Sequence, residues 1–217
     1  MKSSRLFVLI VSTVTLFHTA AAMAAHLDLN DPRRALGRED NIRVDAELTQ
    51  DSVASGSAVG VTYQIQNLSS SSIAIADKVC DVTYDNDSRT IVMSVGAEVP
   101  KDGAMPKVVT IAPGEKKMFA AGAILHVVTA GTRSPWTAVP QYVQVKVNIL
   151  RDLTLFRPLI EQQARVTTPI SMTDQQFDAW LQSNDTIFLN PIPVHYTGQT
   201  PSALGDASQR GAGTRGF

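Results

Sequence analysis

His26, His126 and His195, the single cysteine Cys80, and the aspartates Asp81, Asp85 and Asp87 are the residues of this 217-residue chain whose types and spacing invite chemistry. A histidine at a free amino terminus chelates copper through its amine and its imidazole, and a second histidine completes a brace-type site. That site requires cleavage just before His26, with His126 in AILHVV or His195 in PVHYT as the second ligand. The first regular strand is expected near Asn41, so a terminal ligand would sit on a long lead-in and lose much entropy on ordering. His126, inside an apolar run, reads as a hydrogen-bonded structural histidine. Cys80, in KVCDVTY, reads as a small buried apolar residue rather than a nucleophile. No local signature joins it to His126 or His195, and G-x-S-x-G, S-x-x-K and H-E-x-x-H are all absent. The three aspartates have alternate spacing, but Arg89 takes the next alternate position and no closing glutamate follows. They read as a solvated hairpin turn, not a calcium loop.

Two motifs near the end of the sequence are read as accidental. GAGTRG, residues 211–216, satisfies G-x-G-x-x-G, but a dinucleotide site needs a strand before that loop and a helix after it. Phe217 resembles the last residue of an outer-membrane barrel. SQRGAGTRGF does not alternate, however, and aromatic residues make up only 6% of the chain.

The amino-terminal residues place the chain in a compartment. Lys2 and Arg5 form a basic start, and Leu6 to Phe17 are apolar apart from Ser12, Thr13 and Thr15. Small residues then lead to Ala22-Met23-Ala24, which puts alanine at both recognition positions of a signal peptidase. Residues 1–24 are therefore expected to be a signal peptide, with cleavage before Ala25. The apolar stretch is too short for a membrane span, which needs about 20 residues. Cleavage leaves 193 residues and, with Lys2 and Arg5 gone, takes the net charge from −1 to −3. Without a basic surplus or a basic run, nucleic acid is not an expected partner. One cysteine cannot close an internal disulfide, so the core must stand on packing.

These residues must be positioned by strands. After the polar lead-in 25–40, NIRVDAEL alternates Ile42, Val44, Ala46 and Leu48 against charged neighbours, and AVGVTYQIQN repeats the pattern with Val59, Val61, Tyr63 and Ile65. SSSSIAIAD follows. KVCDVTYDNDSRTIVMSV predicts a hairpin about Asp85-Asn86-Asp87-Ser88. KVVTIAPGEKKMF predicts a strand, a Pro113-Gly114 turn and a returning strand, and QYVQVKVNIL a last strand. Seven or eight such segments without intervening helices predict an all-β fold, an antiparallel β-sandwich over residues 41–150. VTYQIQNLSSSS and VTIAPGEKKMF resemble the immunoglobulin-like modules of exported bacterial proteins, and more loosely immunoglobulin-like proteinase-inhibitor domains. The resemblance implies an immunoglobulin-like sandwich that binds another protein.

Residues 151–196 are expected to form a C-terminal extension. RDLTLFRPLIEQQ reads as strand or as irregular chain. Thr173 with Gln176 forms a capping box, and Phe177, Trp180 and Leu181 share one face of a helix over 173–183. A helix that short needs a cover for its apolar stripe. The favoured cover is the protein's own sandwich; the alternative is a partner, with Phe177, Trp180 and Leu181 as its binding residues. TIFLNPIPVHY reads as a final strand or extended arm, and residues 197–217 as a disordered tail. The expected function is that of an exported, non-enzymatic module that binds a protein of the envelope or exterior and holds no cofactor or metal. Copper binding or metal-dependent catalysis through His26 is the alternative, as is proteinase inhibition.

Overall fold

A computed structural model of the chain describes residues 31–126 and 139–197. Its strands begin with β1 (Arg34–Glu39), β2 (Ile42–Leu48), β3 (Ser52–Val53), β4 (Ala58–Asn67) and β5 (Ile73–Ile75). The hairpin of β6 (Cys80–Asp85) and β7 (Thr90–Val95) follows, then β8 (Ala104–Met105), β9 (Val109–Ile111) and the long β10 (Lys116–Ile124). The chain continues through β11 (Tyr142–Leu150), α1 (Arg157–Gln163), β12 (Ile170–Ser171) and α2 (Asp174–Ser183). It ends with β13 (Asn184–Phe188), β14 (Ile192–Pro193) and β15 (His195–Tyr196).

The alternating segments form these strands because each has one face to bury. Along β4, Val59, Val61, Tyr63 and Ile65 are buried, while Gly60, Thr62, Gln64 and Gln66 lie on the other face. The first sheet runs β1-β2-β4-β10, antiparallel throughout. The second runs β6-β7-β11-β5-β9, with β13 and β14 also paired to β11. One core joins the two sheets: Val44, Tyr63 and Ile65 from the first meet Ile91, Met93, Val145 and Val147 from the second. Tyr63 and Phe119 stack there with ring centroids 5.3 Å apart.

The expectation of a wholly antiparallel sandwich is corrected at two pairs. β11 runs parallel to β7, Tyr142 opposite Thr90 through to Val147 opposite Val95, and β15 runs parallel to β3. Parallel neighbours need a long connection, and the chain between β7 and β11 crosses to the first sheet as β10 before returning. The Pro113-Gly114 turn makes that crossing: β9 pairs with β5 in the second sheet and β10 with β4 in the first, so the two are not a hairpin. Gly114 takes φ 77° and donates its N–H to the Asn67 carbonyl at 2.7 Å. Asn67 is fully buried, and its amide Nδ2 donates to the carbonyls of Ser71 and Ile111 at 2.8 and 3.0 Å. One asparagine therefore satisfies the backbone at the corner where the chain changes sheet.

Two segments differ from expectation. Part of the lead-in 25–40 is a strand, β1, joined to β2 by the two-residue loop Asp40-Asn41 with Asp40 at φ 47°. Its inward residues are Ala35 and Gly37, too small to register as hydrophobic alternation. Among the described residues there are also two α-helices rather than one. α1 has Pro158 in its first turn, where a missing N–H costs little, and none of its residues is fully buried, so it has no apolar stripe to read. α2 has the expected capping box: Thr173 Oγ1 accepts from the Gln176 N–H, and Gln176 Oε1 accepts from the Thr173 N–H.

Candidate functional site

The residues singled out from the sequence are dispersed. α2 turns Trp180 inward, where it is 2% exposed, packs edge-to-face on Phe156 and donates its indole N–H to the Ala97 carbonyl at 3.1 Å. Leu150, Leu153, Met105 and Ala97 share this second apolar cluster. The protein's own core thus covers Trp180 and satisfies its one donor. Phe177 is half-buried and Leu181 is 44% exposed.

Cys80 is half-buried, and burial, with a smaller contribution from the charge of Asp81, pushes its thiol up to about 11. That is the opposite of an activated nucleophile. Asp85 spends its carboxylate within its own turn, accepting from the Asp87 N–H at 3.0 Å and the Ser88 hydroxyl at 2.6 Å. These bonds, the Ser88 one foremost, hold it below the usual carboxylate range. His126 and His195 are exposed, His126 just past the end of β10 and His195 in β15. Among the described residues no three of His, Cys, Asp and Glu stand together as metal ligands would. His26, the GAGTRG segment, Phe217 and the expected tail beyond Thr197 lie outside the described residues; Thr197 itself donates its N–H to Val53 at 2.8 Å.

Two features emerge that no motif marked. The first is the free edge of β10. The β10–β4 hydrogen bonds have a fixed parity: Asn67 N–H reaches the Glu115 carbonyl at 3.0 Å and Leu125 N–H reaches Ser57 at 2.9 Å. In an antiparallel ladder with one-to-one register, odd residues of β10 then bond to β4 and even residues point their N–H and C=O away from it. Among the described residues no strand takes up those outward groups. The even side chains lie on the outer face: Met118 and Ile124 are 51% and 56% exposed, and Ala120 and Gly122 are exposed between them. From Met118 to Ile124 the edge carries no charge and no proline. Natural sheets normally blunt such an edge with charge, proline or a bulge.

The second is a cleft of about 940 Å³ on the outer face of the second sheet. Thr83 of β6, Val92 and Ser94 of β7 and Lys146 of β11 form its floor, and segments 96–107 and 163–170 form its walls. Gln163 clips the walls together, accepting from the Val108 N–H and donating to the carbonyls of Met105 and Pro106. Asn148, beneath the floor, donates to Ser94 Oγ and to the carbonyls of Val95 and Gly96, and accepts from the Thr186 hydroxyl.

No protein-family model, curated protein or solved structure matches the chain.

The sequence did carry a sign of the edge. MFAAGAI is a seven-residue run without charge, but its small outward residues conceal the alternation that reveals β2 and β4. The cleft has no counterpart signal, since its floor and walls come from five separate stretches of chain.

Proposed function

We propose that this is an exported, immunoglobulin-like binding module that takes an extended segment of an envelope or extracellular protein onto the free edge of β10. Strand addition draws affinity from main-chain hydrogen bonds and specificity from alternate side chains. β10 offers both: outward N–H and C=O groups at Lys116, Met118, Ala120, Gly122 and Ile124, and an exposed apolar row from Met118 to Ile124. That edge is the observation that carries the reading. The two-sheet core and the crossing of the chain between sheets at Pro113-Gly114 support its immunoglobulin-like part, from which the parallel β7–β11 pair is a departure. The signal-like residues 1–24 support export.

Selection from a displayed library of ten-residue peptides tests the docking edge. The wild type should enrich peptides of low charge with alternating β-branched and aromatic residues. Ala120→Pro removes one outward N–H without breaking a bond to β4, because Ala120 is an even residue. It should weaken the selected peptides by about tenfold, the equivalent of roughly 1.4 kcal/mol, while the melting temperature stays put. No enrichment, or equal binding to Ala120→Pro, overturns the proposal. Mass spectrometry of the exported product should show Ala25 first; a product retaining residues 1–24 overturns export.

A further inference from the structure

We infer that the cleft on the second sheet is a separate binding site for a free small molecule with an apolar body and a single anionic head: a carboxylate, sulfonate or phosphate. Its volume, about 940 Å³, falls within the roughly 300–1,000 Å³ of small-molecule pockets. Its interior is supplied largely by apolar atoms of Val92, Ala97, Met105, Val166 and Ile170, which call for an apolar body. Its charges call for an anion. Of the four lining lysines, Lys146 is paired to Glu98 at 2.8 Å and Lys78 to Asp77 at 3.2 Å. Lys101 and Lys107 stand on one wall with no carboxylate within ion-pair distance among the described residues. The remaining lining carboxylate, Asp81, belongs to β6 rather than to the wall that carries Lys101 and Lys107, and the two free ammonium groups outnumber it, which favours an anionic head. The walls are held from both sides by β8 paired with β12 and by the Gln163 clip, so the cleft is built before any ligand arrives. A concave site between two walls suits a free molecule rather than a bilayer, which meets protruding apolar surface.

Titration with 8-anilinonaphthalene-1-sulfonate, an apolar sulfonate, tests the site by fluorescence. One saturable site is expected, displaced by dodecanoate and much less by dodecanol. Reversing both free lysines, Lys101→Glu with Lys107→Glu, should weaken the probe by about tenfold or more. Arg38→Glu with Arg157→Glu changes the net charge equally outside the cleft and should leave binding unchanged. Thr83→Trp fills the floor and should abolish the site; if that variant does not fold, the paired reversals decide. Ala120→Pro leaves the cleft intact, so a failure of strand docking and a failure of this site are read separately. Equal loss in the control pair, displacement by dodecanol as good as by dodecanoate, or no saturable binding overturns the inference.

Discussion

β1 and β10 are the two outer strands of one sheet. β1 carries Arg34, Arg38 and Glu39 within six residues, and β10 carries no charge from Met118 to Ile124. β1 is also sealed. The Asn190 N–H donates to the Leu36 carbonyl at 3.2 Å, Arg151 reaches Asp40 at 2.8 Å, and β13 lies along the strand. Gly37 brings the backbone so close that an added Cβ would stand 3.0 Å from Ile187 Cγ2, Leu189 Cδ1 and the Phe188 carbonyl oxygen. On the opposite side β10 lies beside β6, which has Asp81 and Asp85 for protection, while β10 has charge only at its start, Lys116 and Lys117, and none from Met118 to Ile124. The C-terminal segment thus completes one side of the sandwich, and among the described residues nothing completes the other. An edge finished by the chain itself needs close fit; an edge left for another chain needs exposed, uncharged backbone.

The largest effect should follow from detaching the segment that seals β1. Trp180→Ala removes a buried indole, its contact with Phe156 and its bond to Ala97, and α2 has no other buried side chain. The expected loss is about 3–5 kcal/mol of folding stability by urea denaturation. A loss below about 1 kcal/mol would mean that residues 151–197 are an accessory rather than part of the fold.

A smaller change tests the fit directly. Gly37→Val drives two methyl groups into Ile187 and Leu189 and should cost about 1–3 kcal/mol through overpacking. Ala120→Val on the free edge adds the same kind of side chain to exposed space and should stay within about 0.5 kcal/mol of wild type. Equal costs at the two positions would erase the distinction between the edges.

The contrast also explains what could be read from the sequence. β2, β4, the β6–β7 hairpin and the capping box of α2 were legible because each has a large apolar face set against polar neighbours. β1 was not, because close approach to Ile187 and Leu189 demands glycine at 37, and its other inward residue, Ala35, is too small to carry a strong hydrophobic signal. The Pro113-Gly114 turn was legible but its partners were not: whether a turn joins neighbours or crosses between sheets depends on Asn67 and the distant β5. Trp180 was seen as buried or partner-binding, and only tertiary packing against Phe156 separates those outcomes. The edge of β10 was hidden for the reverse reason, since small residues on its exposed face look like neither core nor surface.

A charge placed on the free edge should alter association and little else. Ala120→Lys puts an ammonium in the middle of the outward row, the device by which natural edges discourage pairing. Stability should change by no more than about 0.5 kcal/mol. Concentrated wild-type protein should show concentration-dependent association by sedimentation velocity, and the variant should remain a single slow species. Association unchanged by the lysine would move the sticky surface away from β10.

The smallest effect concerns acid, and here the edges should separate by pH. At the start of β1, Asp31 accepts from Arg33 through its guanidinium at 2.6 and 3.1 Å and through its backbone N–H at 2.9 Å. The side-chain bond to Arg33 is the main cause that lowers the Asp31 carboxyl from 3.8 to about 2. A carboxylate with a depressed folded value stabilises the fold above its unfolded value, near 3.8, and that contribution is lost as pH falls toward 2. The pair is open to water, so the gain is small and salt weakens it further. β10 has no carboxylate of its own, so pairing through residues 118–124 has no group to titrate in that window. Lowering the pH from 4 to 2 should therefore loosen the entry to β1, seen as faster amide exchange at Arg33 and Arg34, and Asp31→Asn should abolish that pH dependence. Carboxyl shifts followed by NMR should place the Asp31 midpoint near 2. A midpoint at the ordinary value would show that Arg33 does not hold Asp31, and that the entry to β1 stands without that pair.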